Sequence, residues 1–123
     1  MPLKRLDHFT VLCSDLERSR VFYRDALGLI DGDRPPFDFP GAWLYLDERP
    51  VVHLVGGRNG GQLERSGSVD HVAFAADRLG AVRERLARSG IDFEERRVPG
   101  RPIVQLFLRD PDGVAIELNF SES

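Results

Sequence analysis

The chain is expected to fold as α+β, as two βαβββ modules forming a curved eight-stranded mixed sheet, with its 123 residues in one domain. Three observations lead there. An Asp-His pair inside an apolar stretch occurs twice, as Leu6-Asp7-His8 and Val69-Asp70-His71. His8 and His71 are 63 residues apart, and His53 and Glu117 are 64 apart, so one duplication relates all four. Each half also carries the same succession of alternating and helical apolar patterns, with a glycine-rich stretch between them.

In the first half, Arg5–Cys13 reads as a strand. Ser14-Asp15-Leu16-Glu17 reads as a capping box, serine at the N-cap and glutamate three residues on. The helix runs to about Leu27, with Leu16, Val21, Phe22 and Ala26 on its inner face, and stops at Gly28. Gly28–Asp33 is a short second strand. Arg34–Gly41 holds three prolines and a glycine and reads as a loop. Ala42–Leu46 and Pro50–Val55 form a hairpin turning at Asp47-Glu48-Arg49.

Gly56-Gly57-Arg58-Asn59-Gly60-Gly61 opens a flexible linker. Module one is thus about 1–56, the linker about 56–67 and module two about 68–123. The plan then repeats. Ser68–Ala75 is a strand, Asp77 caps a helix to about Ser89, and Gly90 ends it. Leu79, Val82 and Leu86 mark its apolar face. Ile91–Val98, Ile103–Arg109 and Val114–Phe120 are strands, the last two joined by the turn Asp110-Pro111-Asp112-Gly113.

Composition bounds the function. The chain is 41% hydrophobic and 30% charged, as soluble domains are. No apolar run approaches the roughly 20 residues of a membrane span, and no signal peptide is visible. The net charge of −3 argues against nucleic acid. The single cysteine, Cys13, has no disulfide partner in the chain, which suggests a reducing, cytoplasmic setting.

Strand alternation assigns faces. Ile116, Leu118 and Phe120 share one face of the last strand, and Ala115, Glu117 and Asn119 the other. Val104, Leu106 and Leu108 oppose Gln105, Phe107 and Arg109. His8 lies with Leu6, Thr10 and Leu12; His71 lies with the small residues Ala73 and Ala75. Three imidazoles and a carboxylate at symmetry-related places suit a divalent metal.

These residues carry a family resemblance that spans essentially the whole chain. Leu6-Asp7-His8, the helix end Phe22-Tyr23-Arg24-Asp25-Ala26-Leu27-Gly28-Leu29, Val69-Asp70-His71-Val72-Ala73-Phe74, and Asp110-Pro111-Asp112-Gly113 before Glu117 together resemble the vicinal oxygen chelate superfamily. That group includes glyoxalase I, methylmalonyl-CoA epimerase, extradiol dioxygenases, fosfomycin thiol transferases and bleomycin-resistance proteins. Its members bind metal from the first, fourth, fifth and eighth strands, where His8, His53, His71 and Glu117 fall. The resemblance implies His8, His71 and Glu117 as ligands of one divalent ion (Zn, Ni, Mn, Co or Fe). It leaves His53, where similar glyoxalases have a glutamate, as a fourth ligand or as a wall residue that moves protons. Glu117 and His53 are then the candidate catalytic groups, and Thr10, Trp43, Tyr45, Gln105 and Phe107 the candidate substrate-binding residues.

The implied activity is that of a metal-dependent lyase or isomerase on a small molecule with vicinal oxygens. The alternatives are an extradiol-type Fe(II) dioxygenase on a small aromatic, and a thiol transferase or drug-binding resistance protein. Phe107 stands where the fosfomycin enzymes have a tyrosine, which weighs against that branch. Each half supplies only part of the ligand set, so two halves must meet. The resemblance implies a homodimer with metal sites shared between chains, and neither nucleic acid nor membrane as a partner.

Overall fold

A computed structural model describes residues 2, 5–57 and 71–122. The first module contains β1 (Phe9–Leu12), α1 (Leu16–Asp25), β2 (Ile30–Gly32), β3 (Gly41–Leu46) and β4 (Arg49–Val55). The second contains β5 (Val72–Ala76), α2 (Leu79–Arg88), β6 (Glu94–Arg97), β7 (Ile103–Arg109) and β8 (Ala115–Ser121). Both follow the strand-helix-three-strand plan. Among the described residues, hydrogen bonding joins the strands into two four-stranded sheets, ordered β1-β4-β3-β2 and β5-β8-β7-β6. In each sheet one pair is parallel, β1 with β4 and β5 with β8, and the rest are antiparallel. Contacts divide the chain into two compact units, Met1–Leu63 and Glu64–Ser123. Residues 58–67 of the expected linker, and 68–70 of the strand expected after it, lie outside the described residues.

The first module's core forms between α1 and its sheet. Val11, Ala42, Leu44, Val52 and Leu54 are buried on the sheet face toward α1, with Phe22, Tyr23 and Ala26 on the helical side. The alternation in β3 and β4 thus leaves Trp43, Tyr45 and His53 on the opposite face. In the second module Val104, Leu106, Leu108, Ile116, Leu118 and Phe120 are buried. Gln105, Phe107, Glu117 and Asn119 occupy the other face and are half-buried.

Four of the element ends that differ from the sequence expectation have a clear local cause. β1 starts at Phe9 rather than Arg5, because its ladder with β4 runs from Val52 to Val55 and Pro50, two residues earlier, has no N–H to donate. Asp15, not Ser14, is the N-cap of α1: its backbone is extended and its carboxylate accepts from the Arg18 N–H at 3.0 Å. At α2 the N-cap is Arg78, at φ 58° and with no side-chain cap bond, so Asp77 sits one residue too early to cap. β6 begins at Glu94 rather than Ile91, because the Ile91 N–H is taken by the Leu86 carbonyl at the end of α2.

Two turns set the strands that matter most. At Gly113, φ is +87°, and the Asp110 carboxylate accepts from the N–H groups of Asp112 and Val114 at 2.8 Å each, which starts β8 in register. At Gly41 a Cβ would lie 2.5 Å from the Leu54 carbonyl oxygen of the neighbouring strand. Gly41→Ala is therefore expected to destabilise the protein by about 1–3 kcal/mol, as overpacking against backbone does. A urea midpoint equal to that of the parent would contradict this.

Candidate metal and substrate site

In the first module the parallel register sets Thr10 beside His53, and the antiparallel register sets His53 beside Trp43. Side chains at paired positions share a face. The His53 ring therefore lies between two others. It stacks on His8 at 3.7 Å and 10°, and on Trp43 at 4.1 Å and 15°. Its Nε2 lies 3.0 Å from the Pro50 carbonyl oxygen. A carbonyl only accepts, so Nε2 carries the proton and Nδ1 keeps the lone pair. Burial first, and then the neighbouring His8, hold the His53 imidazole below its ordinary value, which leaves it neutral at pH 7.

His8 lies one residue before β1. Its Nδ1 is 2.7 Å from the Asp7 carboxylate. That hydrogen bond is the main cause holding the Asp7 carboxyl below the usual range. A carboxylate on one imidazole nitrogen fixes the ring and turns the other nitrogen, Nε2, to a ligand role.

Trp43 continues the stack outward. Phe37 lies 6.4 Å from Trp43 and 5.1 Å from Phe39, and the Arg34 guanidinium sits 5.0 Å from both phenylalanine rings. These loop aromatics were not singled out from the sequence. The signal was there, as two phenylalanines among three prolines in one loop. The Tyr45 hydroxyl donates to the Asp33 carbonyl at 2.5 Å. Thr10 is exposed beside His53.

In the second module the register aligns Ala73 with Glu117 and Phe107, and Ala75 with Asn119 and Gln105. His71, immediately before β5, brings its Nε2 to 3.3 Å from a Glu117 carboxylate oxygen. The Glu117 side chain is 13% exposed and His71 41%. This half-buried carboxylate faces the imidazole, with Ala73 as its cross-strand neighbour on β5. Asn119 donates to the other Glu117 oxygen at 2.7 Å, and Gln105 donates to Asn119 at 3.0 Å. A cleft of about 690 Å³ runs beside this face, lined by His71, Phe107, Arg109, Asp92 and Glu94 among others. Arg96 lies 5.7 Å from the Phe107 ring centroid.

Among the described residues, no three His, Cys, Asp or Glu side chains gather at one point. The first module presents an imidazole held by a carboxylate, and the second an imidazole–carboxylate pair. The donor set, imidazole nitrogen with carboxylate oxygen, suits a divalent first-row metal.

The model of the Glyoxalase/Bleomycin resistance protein/Dioxygenase superfamily matches residues 5–118. The chain belongs to this superfamily. Within it, the chain is 33% identical to Glyoxylase I 4 of Arabidopsis thaliana, over 94% of this chain and 70% of that protein. It is 27% identical to the mitochondrial methylmalonyl-CoA epimerase of Mus musculus, over 94% of this chain and 72% of the epimerase. The crystal structure of a glyoxylase/bleomycin resistance protein/dioxygenase domain from Frankia sp. EAN1pec shares the fold, with a TM-score of 0.78 at 23% identity over 98% of this chain and 99% of that one. The superfamily's glyoxalases typically use a divalent metal. Among the described residues, no helix is long and apolar enough to cross a membrane.

Proposed function

We propose that this superfamily member is a metal-dependent lyase or isomerase acting on a small molecule through two neighbouring oxygens. The observation that supports it most is the pairing of His71 and Glu117 at 3.3 Å, a ready nitrogen–oxygen donor pair on the open face of the second sheet. In this reading His8, His71 and Glu117 hold the ion. When bound, the ion acts as a Lewis acid toward the substrate's oxygens. His53 does not ligate. Its Nδ1 lone pair takes a proton from the carbon next to a carbonyl, while the Pro50 carbonyl keeps its tautomer and the His8 and Trp43 rings keep its plane. Thr10, Trp43 and Tyr45 on one face, and Gln105 and Phe107 on the other, line the substrate's path, and Trp43 excludes water from the base.

A lyase and an epimerase share this first step, removal of a proton beside a carbonyl, and relatives bearing both names are similar to this chain. A second reading, an extradiol-type Fe(II) dioxygenase, is favoured by the run of rings from Phe39 through Phe37 to Trp43, which suits a flat aromatic substrate. Metal content separates the two: iron in protein purified without chelator favours oxygen chemistry, while nickel, zinc, cobalt or manganese favours isomerisation or addition.

The same reading includes a two-fold homodimer whose metal sites draw His8 from one chain and Glu117 from the other. His8→Ala and Glu117→Ala chains, each unable to bind metal alone, are expected to recover one site per heterodimer when mixed. Failure of the mixture to bind any metal, with heterodimers demonstrated by mass, would assign each site to a single chain.

A further inference from the structure

We infer that Asn119 and Gln105 form a hydrogen-bonded strut that positions the Glu117 carboxylate for metal, so that both are positioning residues of the site. The inference rests on Glu117 being a metal ligand, and goes beyond it. The three side chains lie on one face of two neighbouring strands: Gln105 and Asn119 are directly paired across β7 and β8, and Glu117 is two residues from Asn119. All three are half-buried.

The direction of the chain of bonds follows from chemistry. An ionised carboxylate only accepts. The group Asn119 turns toward Glu117 must therefore be its amide NH2, and it stands 2.7 Å from one carboxylate oxygen. That leaves the Asn119 carbonyl pointing the other way, where it accepts from the Gln105 NH2 at 3.0 Å. Gln105 thus selects the amide orientation of Asn119, and Asn119 selects the rotamer of Glu117. One carboxylate oxygen is held from behind; the other is the one directed at His71, at 3.3 Å. A free glutamate has three rotatable bonds and would lose their freedom on binding an ion. The strut removes that freedom beforehand. Nothing in the spacing of the strands needs two amides here, since an apolar pair would serve the sheet as well.

Asn119→Leu keeps the size of the side chain and removes both hydrogen-bonding groups. Gln105→Met does the same one step further out. Cobalt(II) titration of the full chain, read by visible absorption and by competition with a chelator, is expected to show 10–100-fold weaker binding for Asn119→Leu, as for other groups that orient a ligand. Gln105→Met is expected to weaken binding by less, and the double variant to be no weaker than Asn119→Leu alone, because Gln105 acts only through Asn119. The metal-free melting temperatures should stay close to the parent, which a merely structural role would not predict. Should Asn119→Leu fail to fold, the Gln105→Met titration decides alone: parent affinity in that variant overturns the strut. Parent affinity in a folded Asn119→Leu, with binding lost in Glu117→Ala, overturns the strut while leaving the ligand assignment standing. Cobalt binding unaffected by Glu117→Ala overturns both.

Discussion

Replacing Glu117 by alanine should weaken divalent-metal binding by more than about 100-fold, and His71→Ala and His8→Ala should do the same. The magnitude follows from comparison. Loss of a group that merely orients a ligand costs about 10–100-fold in affinity, and loss of the ligand removes the bond itself. Glu117 is the sharpest of the three tests. Its side chain is 13% exposed and it is the carboxylate that the second module turns toward an imidazole. Neighbouring carboxylates do not replace it: Asp92 and Glu94 line the cleft but belong to the strand and loop on the far side of β7. Elemental analysis of protein purified without chelator measures the outcome. Stoichiometric metal retained in Glu117→Ala would count against the whole ligand set.

The second large effect is expected at His53. His53→Gln should keep the metal and lose turnover by about 10²–10⁴-fold, the range of a lost general base. Two geometric facts support this expectation. Its ring stacks on that of His8 within 10° of parallel, and its Nε2 is committed to the Pro50 carbonyl. Glutamine roughly fills the space between His8 and Trp43 without supplying a basic nitrogen. A loss of metal in His53→Gln comparable to that in His8→Ala would instead make His53 a ligand. The assay reads proton exchange between a carbonyl compound and deuterated solvent, the step assigned to His53.

The two-residue alternation made the sheet faces legible in the sequence. Leu106 and Leu108 are buried, and Gln105 and Phe107 are on the opposite face, because one face of each sheet has a core to meet and a slip of one residue would expose every leucine. The duplication was legible too, since His8 and His71 each stand just ahead of the first strand of a module. The helix starts were not. Ser14 and Asp15 can both cap, and only the extended backbone at Asp15 chooses between them. At α2 the left-handed Arg78 displaces the start beyond Asp77, which no local pattern announces. The stacking of His8 on His53 was equally hidden. Alternation says which face a ring occupies but nothing of its plane, and that plane is set by Asp7 on one ring and Pro50 on the other. Asn119 read as one polar residue near the end of a strand. Its meaning depends on Gln105 across the ladder, a contact of two positions 14 residues apart in sequence.

In the proposed site, residues of both modules bind one ion together. Crystals grown with cobalt(II) or nickel(II), with diffraction recorded on both sides of the metal's absorption edge, test it most directly. The expected result is one strong anomalous peak per chain, in contact with His8, His71 and Glu117 at once and with His53 outside bonding distance. An anomalous peak bound to residues of one module alone, or no peak at all in crystals of active protein, would contradict it.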